Sequence, residues 1–390
     1  MNVLMISWDR TAAMDKKEEI LGDFQDRLAI YGKYVSKLFV IAYSLKNMNL
    51  RPKQIDDNVF VYPTSSYNPM TFIFDGYRIA SKIFNNEKID IITTQDPLLT
   101  GLLGYILKKR YCVPLNVQIH ADYLDNKFWL NKSKIAHFLN ILGKFIVKRA
   151  DSIRVVSSKI KNYLEKCLLI PSNKIFIIPV FVNINKFIEY NPLYIIKQKY
   201  SDYENIILFV GRLAEQKNIP NLLKAIPNVI TKFPKTLFLI VGEGKEIKKL
   251  ENMIDTFNIK KNVKFEGLVD NNNLLEYYYS CDLLVLPSYY EGWGLVAIEA
   301  LACGKPVVMT DVGCANEIVI NEKTGYVVPI NDSKALAQKI IYLLENPELR
   351  KEMGKNGKEL IKETQDIHKN AYKYRELYEK TIELAKKETR

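Results

Sequence analysis

The chain has 390 residues, 48% apolar and 11% aromatic, with a formal net charge of +12. That composition excludes a disordered or fibrous chain, and the length exceeds what one ordinary core organises, so two domains are expected. The longest apolar run, 97–107, is too short to span a bilayer, and the N-terminus MNVLMISWDR lacks the basic start of a signal peptide.

Five scattered cysteines without a C-x-x-C pair read as buried thiols of a reducing compartment, and a cytoplasmic protein is expected. The charge is uneven. Residues 1–185 hold 26 Lys and Arg against 16 Asp and Glu, whereas the remaining 205 hold 30 against 28. The basic half suggests an anionic partner: a phosphorylated substrate, an acidic membrane or nucleic acid.

Short apolar runs alternate with helical periodicity from end to end, which predicts α/β architecture with parallel sheets and crossover helices. In the first half, strands are expected at 3–6, 37–43, 58–62, 89–93, 115–120, 152–156 and 174–179. Helices are expected at 18–36, 67–83 and 98–111. Segment 127–149, KFWLNKSKIAHFLNILGKFIVKR, carries Phe128, Trp129, Ile135, Phe138, Leu139, Leu142, Phe145 and Ile146 at helical spacing among six basic residues. Two readings stand: a helix covering a sheet, or an interfacial helix lying on anionic lipid. The Pro- and Asn-punctuated stretch 179–201 reads as a linker. Two Rossmann-like domains facing each other across a cleft follow, with 1–185 as the first and 200–365 as the second. The charged tail 366–390 is expected to be a long surface helix.

The second half predicts strands at 206–210, 237–241, 263–266, 283–286, 307–309 and 325–327. Its helices are expected at 220–233, 246–257, 273–281, 295–303, 333–345 and 347–363. Four strand tips carry chemistry. FVGRLAEQKN places Gly211 and Arg212 after one strand, with Lys217 just before a helix, a cation pair suited to a diphosphate. IVGEGK supplies Gly242 and Gly244, and DVGCANE supplies Gly313. SYYEGWGLVAIEALACGK sets Glu291, Gly292 and Gly294 ahead of a helix that carries Glu299. Such a helix start favours phosphate, and two carboxylates can grip the hydroxyls at the two ends of a nucleotide-sugar. The alternative is that Glu291 caps the helix and Glu299 is solvated.

In this order and spacing, GRLAEQKN, VGEG, PSYYEGWGLVAIEALACGKPVV and TGYVV resemble the retaining glycosyltransferases of family 4, which have the GT-B fold. The resemblance covers the second half. It implies donor-diphosphate contacts from Arg212 and Lys217, a ribose contact from Glu299 and sugar hydroxyls on Glu291. It further implies phosphate contacts from the amides near Leu295 and Val296, and a final helix that returns to the first domain. QIHADYL would place His120 near the donor sugar, with Asp122 and Asp96 (in TTQDPLL) as acceptor-side contacts. The loop SWDRTAAMDKK, 7–17, departs from the family's usual Gly-Gly turn.

The reaction implied is transfer of a hexosyl group from a nucleotide-sugar to a glycan or lipid-linked acceptor, in cell-surface polysaccharide or glycoconjugate synthesis. The chain has no Asp-x-Asp, so no metal and no other cofactor are expected. A sugar-nucleotide epimerase of the same fold and a basic nucleic-acid-binding protein are the alternatives. The paired-glutamate motif argues against the first, and the lack of any nucleic-acid-binding signature against the second.

Overall fold

A computed structural model describes residues 1–14, 24–270 and 272–388. The chain divides into two compact units, Met1–Val180 with Ile367–Arg390, and Phe181–Asp366.

The first unit holds eight strands: β1 (Asn2–Ser7), β2 (Lys37–Ala42), β3 (Lys53–Asp56), β4 (Val59–Pro63), β5 (Ile91–Thr94), β6 (Leu115–Ile119), β7 (Ser152–Val155) and β8 (Ile175–Ile177). They lie in the order β3-β4-β2-β1-β5-β6-β7-β8, and β3 alone runs antiparallel to its neighbour. β1, β2, β5, β6 and β7 are buried almost throughout, as parallel strands covered on both faces must be.

Their inward residues are not all apolar. A directed chain of hydrogen bonds crosses the sheet: Gln118 donates to Thr93, Thr93 to Asn116, and Asn116 to Ser152. Ser152 then meets Thr381 at 2.6 Å, and Thr381 donates to the Leu377 carbonyl. Since the Thr381 proton goes to the Leu377 carbonyl, the Ser152 hydroxyl is the donor to Thr381. Both hydroxyl residues are fully buried. The helix Ile367–Glu388 is thus bonded onto the first sheet, and it also buries Ala371, Tyr374, Leu377 and Tyr378.

The second unit is a six-stranded, all-parallel sheet of β9 (Asn205–Val210), β10 (Thr236–Val241), β11 (Val263–Gly267), β12 (Leu283–Leu286), β13 (Val307–Thr310) and β14 (Gly325–Val328). The order is β11-β10-β9-β12-β13-β14, flanked by helices that include Ile219–Lys232, Leu295–Ala302, Ser333–Glu345 and Pro347–Thr364. Ile207, Phe209, Phe238, Val285, Leu223, Ile340 and Met353 share its core.

Several expectations need correction. The stretch read as a linker carries short helices Asn185–Ile188 and Ile195–Lys199, and Glu276 holds it down by accepting from Tyr190 and the amides of Leu193 and Ile195. β3 and the helix Ser158–Cys167 were not foreseen. The helix expected at 18–36 is Phe24–Gly32, and its first part lies outside the described residues. Within the glycine-free loop, Arg10–Ala13 forms a 3-10 turn capped by Asp9, while Asp15, Lys16 and Lys17 lie outside the described residues. All five cysteines are free, but Cys112 and Cys167 are exposed, because both sit at helix ends facing water.

The hydroxyl chain sets a stability test. Thr381→Val keeps the side-chain shape but strands the buried Ser152 hydroxyl. Equilibrium urea denaturation should show a loss of about 1–3 kcal/mol.

Candidate active site

The residues singled out by motif fall in two groups, one in each unit. In the second unit the strand order reverses between β9 and β12, with β10 on the far side of β9 and β13 on the far side of β12. Loops leaving such neighbours part company and open a crevice beyond the carboxyl ends of the strands.

The loops after β9 and β10 stay bonded past the strand ends. Gly211 N donates to Val241 O at 3.0 Å, and Leu213 N to Glu243 O at 2.8 Å. The approach is close enough to require glycine. A Cβ on Gly242 (φ +130°) would stand 2.1 Å from Gly211 O, and one on Gly244 would stand 2.2 Å from Leu213 O. Backbone packing therefore accounts for both glycines without a ligand.

The loop after β9 ends in a 3-10 turn, Glu215–Lys217, followed by Asn218 at φ +47°, a left-handed position that Asn tolerates. The turn carries Lys217 to the loop after β12. Its Nζ lies 2.7 Å from Glu291 Oε1, and Ser288 Oγ donates to that same oxygen at 2.6 Å. Both charged side chains are largely buried, at 15% and 7% exposure. Gln216 fastens the loops together, donating to Tyr290 O at 3.0 Å and accepting from Tyr289 N at 2.9 Å. Arg212 is exposed and has no ion-pair partner among the described residues.

Glu291 does not cap the following helix, because its carboxylate is taken up by Lys217 and Ser288. The helix Leu295–Ala302 begins instead after Gly294 at φ +85°. Leu295 and Val296 are half-buried in its first turn, where backbone N–H groups lack intrahelical acceptors. Gly292 is half-buried one residue beyond Glu291. Glu299 is not simply solvated, since Tyr278 Oη donates to its Oε2 at 2.6 Å. Burial and the neighbouring Glu299 push the Tyr278 hydroxyl well above its ordinary range, so it stays a donor. From β13, Thr310 donates to Ser288 O at 2.6 Å. A Cβ on Gly313 (φ +55°) would stand 2.8 Å from Trp293 O and 2.9 Å from Glu291 Cβ, so this turn backs the carboxylate closely.

Motif reading missed Tyr278 and Thr310, and Gln216 lay inside the quoted GRLAEQKN with no role given to it. Ser288 lay inside the Glu291 motif, but nothing marked it as a partner of Glu291. Tyr278 sits in a run of three tyrosines that gives no sign of which one turns inward.

In the first unit, His120 follows β6 and meets the fully buried Arg154, whose Nη1 is 3.0 Å from His120 Nδ1. Burial, then the Arg154 and Arg27 charges, hold the imidazole well below its usual range, so it is neutral. Asp122 is half-buried and its carboxyl is raised by burial against the pull of Lys159. Asp96 plays a structural part, since its Oδ1 accepts from Leu98 N at 2.7 Å at the start of the helix Leu99–Tyr111. Burial raises its carboxyl despite bonds from Thr100 and Leu98. Among the described residues no group of three or more His, Cys, Asp or Glu could hold a metal ion.

Two outcomes are expected. Lys217→Ala leaves a buried carboxylate uncompensated and should cost about 3–5 kcal/mol in urea denaturation, with partial recovery in Lys217→Ala/Glu291→Gln. His120, neutral in the fold, takes up a proton near pH 6.5 once unfolded. Its contribution is full above that pH and is lost as pH falls below it, by at most about 1.4 kcal/mol per unit. His120→Asn should therefore lose less thermal stability than wild type between about pH 7.5 and about pH 5.5, read by differential scanning calorimetry.

Residues 194–360 match the family model Glycosyl transferases group 1, and residues 39–186 match the model Glycosyltransferase Family 4. The chain is 30% identical over 351 residues to the uncharacterized glycosyltransferase MJ1178 of Methanocaldococcus jannaschii, covering 86% of this chain and 92% of that protein. Sucrose-phosphate synthase from Thermosynechococcus elongatus superposes with a TM-score of 0.82 at 24% identity, over 97% of this chain and 98% of that one. Anabaena HepE in complex with UDP-glucose gives a TM-score of 0.75 at 19% identity, over 96% and 98%. With the parallel sheets and strand-tip loops described above, these matches place the chain in the family 4 glycosyltransferases of the GT-B fold, and it is a transferase.

Proposed function

We propose that this glycosyltransferase takes its sugar from a nucleotide-sugar bound at the β9/β12 switch point of the second unit. The observation that carries the reading is the meeting of Lys217 and Glu291 there, one loop away from the helix start at Leu295. The UDP-glucose complex of HepE lends support.

In this reading Arg212 and Lys217 contact the donor diphosphate, joined by the amides of Leu295 and Val296. Glu299 holds the ribose and Glu291 the hydroxyls of the transferred sugar. Negative charge grows on the diphosphate as the glycosidic bond breaks, and fixed cations aimed at it lower the barrier. Lys217 has a carboxylate partner at rest, and a diphosphate offers its remaining ammonium protons a second acceptor. Glu291 Oε1 already accepts from Lys217 and Ser288, which suits a carboxylate that positions hydroxyls better than one that attacks an anomeric carbon. His120, neutral and bonded to Arg154, is the first unit's candidate for a sugar contact, and Asp122 and Asp96 are its candidates for the acceptor.

Transfer proceeds with retention, needs no metal, and serves a glycan or lipid-linked acceptor in cell-surface polysaccharide or glycoconjugate synthesis. The basic first half fits a lipid-linked acceptor at the inner surface of a membrane. No helix among the described residues is long and apolar enough to cross one, and the contact proposed is peripheral.

The test is a thermal-shift panel of UDP, GDP, ADP and their sugar conjugates, with magnesium and with chelator. One nucleotide should stabilise the protein by roughly 2.7 kcal/mol at a hundredfold excess over its dissociation constant. Arg212→Ala, an exposed substitution, should weaken that binding by about tenfold or more. Donor consumption should require acceptor and survive chelation. Silence across the panel would overturn the donor site, and a strict magnesium requirement would overturn the metal-independent mechanism.

A further inference from the structure

The helix Lys134–Val147 packs on the first unit through Ala136, Asn140 and Gly143 along most of its length and through Ile146 and Val147 at its end. Ala136, Asn140 and Gly143 are buried with Ile146 and Val147, and a Cβ on Gly143 would stand 2.9 Å from Leu124. Four other large apolar side chains point the other way. Ile135, Phe138 and Ile141 are 68%, 65% and 66% exposed, and Phe145 is also exposed. At steps of three, three and four residues they form one stripe along the helix. Phe128, on the short helix before it, is exposed as well.

Cations rim this stripe. Lys132, Lys134, Lys148 and Arg149 are exposed on the same segment, and 127–149 contains no Asp or Glu. Arg149 lies 3.5 Å above the Phe145 ring, and Tyr105 of the neighbouring helix meets that ring edge-on. The neighbouring helix Leu99–Tyr111 adds the exposed Lys109 and Arg110 and no acid of its own. Two acids flank the segment: Asp151, buried and paired with Lys108 at 2.6 Å, and Asp125, whose charge is compensated. Lys144, Tyr163 and Asn140 all bond its carboxylate, and their hydrogen bonds outweigh burial.

We propose that the stripe Ile135, Phe138, Ile141 and Phe145, with its basic rim, is a docking surface for an anionic lipid bilayer. Apolar side chains enter the acyl boundary while the lysines and arginines meet the headgroup phosphates. A helix of 14 residues lies along the interface and does not span it. A second copy of the chain is a poorer occupant, since two such faces would bring like charges together. This deepens the lipid-acceptor reading and rests on it only for its purpose, because docking needs neither donor nor acceptor.

The experiment is co-sedimentation of the full chain with vesicles of phosphatidylcholine alone and of phosphatidylcholine mixed with phosphatidylglycerol. Wild type should partition to the anionic vesicles and release at high salt. Phe138→Asp/Ile141→Asp and Lys134→Glu/Lys148→Glu should each cut that partition by at least about tenfold, each basic residue near an anionic surface being worth roughly fivefold. The substituted positions face solvent, and circular dichroism checks that the variants remain folded. Equal partition of wild type to both vesicle types, or undiminished binding by the variants, would overturn the proposal. So would a concentration-dependent dimer in analytical ultracentrifugation that Phe138→Asp/Ile141→Asp dissolves, if vesicles are ignored. Vesicle binding without transfer to a lipid acceptor would sink the acceptor reading and leave the surface standing. Transfer in detergent without vesicle binding would sink the surface alone.

Discussion

The second unit is organised around one electrostatic requirement: the charges of Lys217 and Glu291, taken almost out of water, must compensate each other. The pair ties the loop after β9 to the loop after β12 at the place where the strand order reverses. Much of what surrounds it serves that geometry. Ser288 gives the carboxylate a second donor, Gln216 stitches the two backbones together, and Thr310 and Gly313 close the β13 side. The glycines after β9 and β10 let the neighbouring loops run close enough to carry the 3-10 turn that delivers the lysine. Loops held this way keep their places by contacts within the chain.

Five of the six strands of the second unit were legible as short buried runs ending at a turn, while in β11 only Val263 is buried. β3 was not legible, because its sequence Lys-Gln-Ile-Asp has the polarity of a loop and gains its place by pairing antiparallel at the sheet edge. The two short helices of the supposed linker complete too few turns to show a period. Arg212, Lys217 and Glu291 could be picked out as charges in loops after strands, and Glu299 as the charge on the helix that follows. Their partners could not: Lys217 and Glu291 are separated by 74 positions, and Ser152 and Thr381 by 229. Asn116, Gln118, Ser152 and Arg154 look like surface residues in the sequence, and only tertiary closure makes them interior.

The helix Lys134–Val147 shows a different limit. Its apolar residues have the period of a core-facing stripe, but close packing onto the first unit takes Ala136, Asn140 and Gly143 along most of the helix, with Ile146 and Val147 at its end, and leaves Ile135, Phe138 and Ile141 outside. Periodicity reports that a helix has an apolar face. It does not report which face packs inward, and here the inward face combines small residues with Ile146 and Val147.

The return of Ile367–Glu388 to the first unit has a consequence for how the protein is made. A ribosome releases the strands that carry Asn116, Ser152 and Arg154 long before it releases Thr381 and Leu377. Until the last turn of helix emerges, the polar seam of the first sheet has no cover, and the second unit, contiguous from Phe181 to Asp366, is the one free to fold during synthesis. The half of the protein that begins the chain is therefore the half completed last, so a truncation near the C-terminus damages the N-terminal unit.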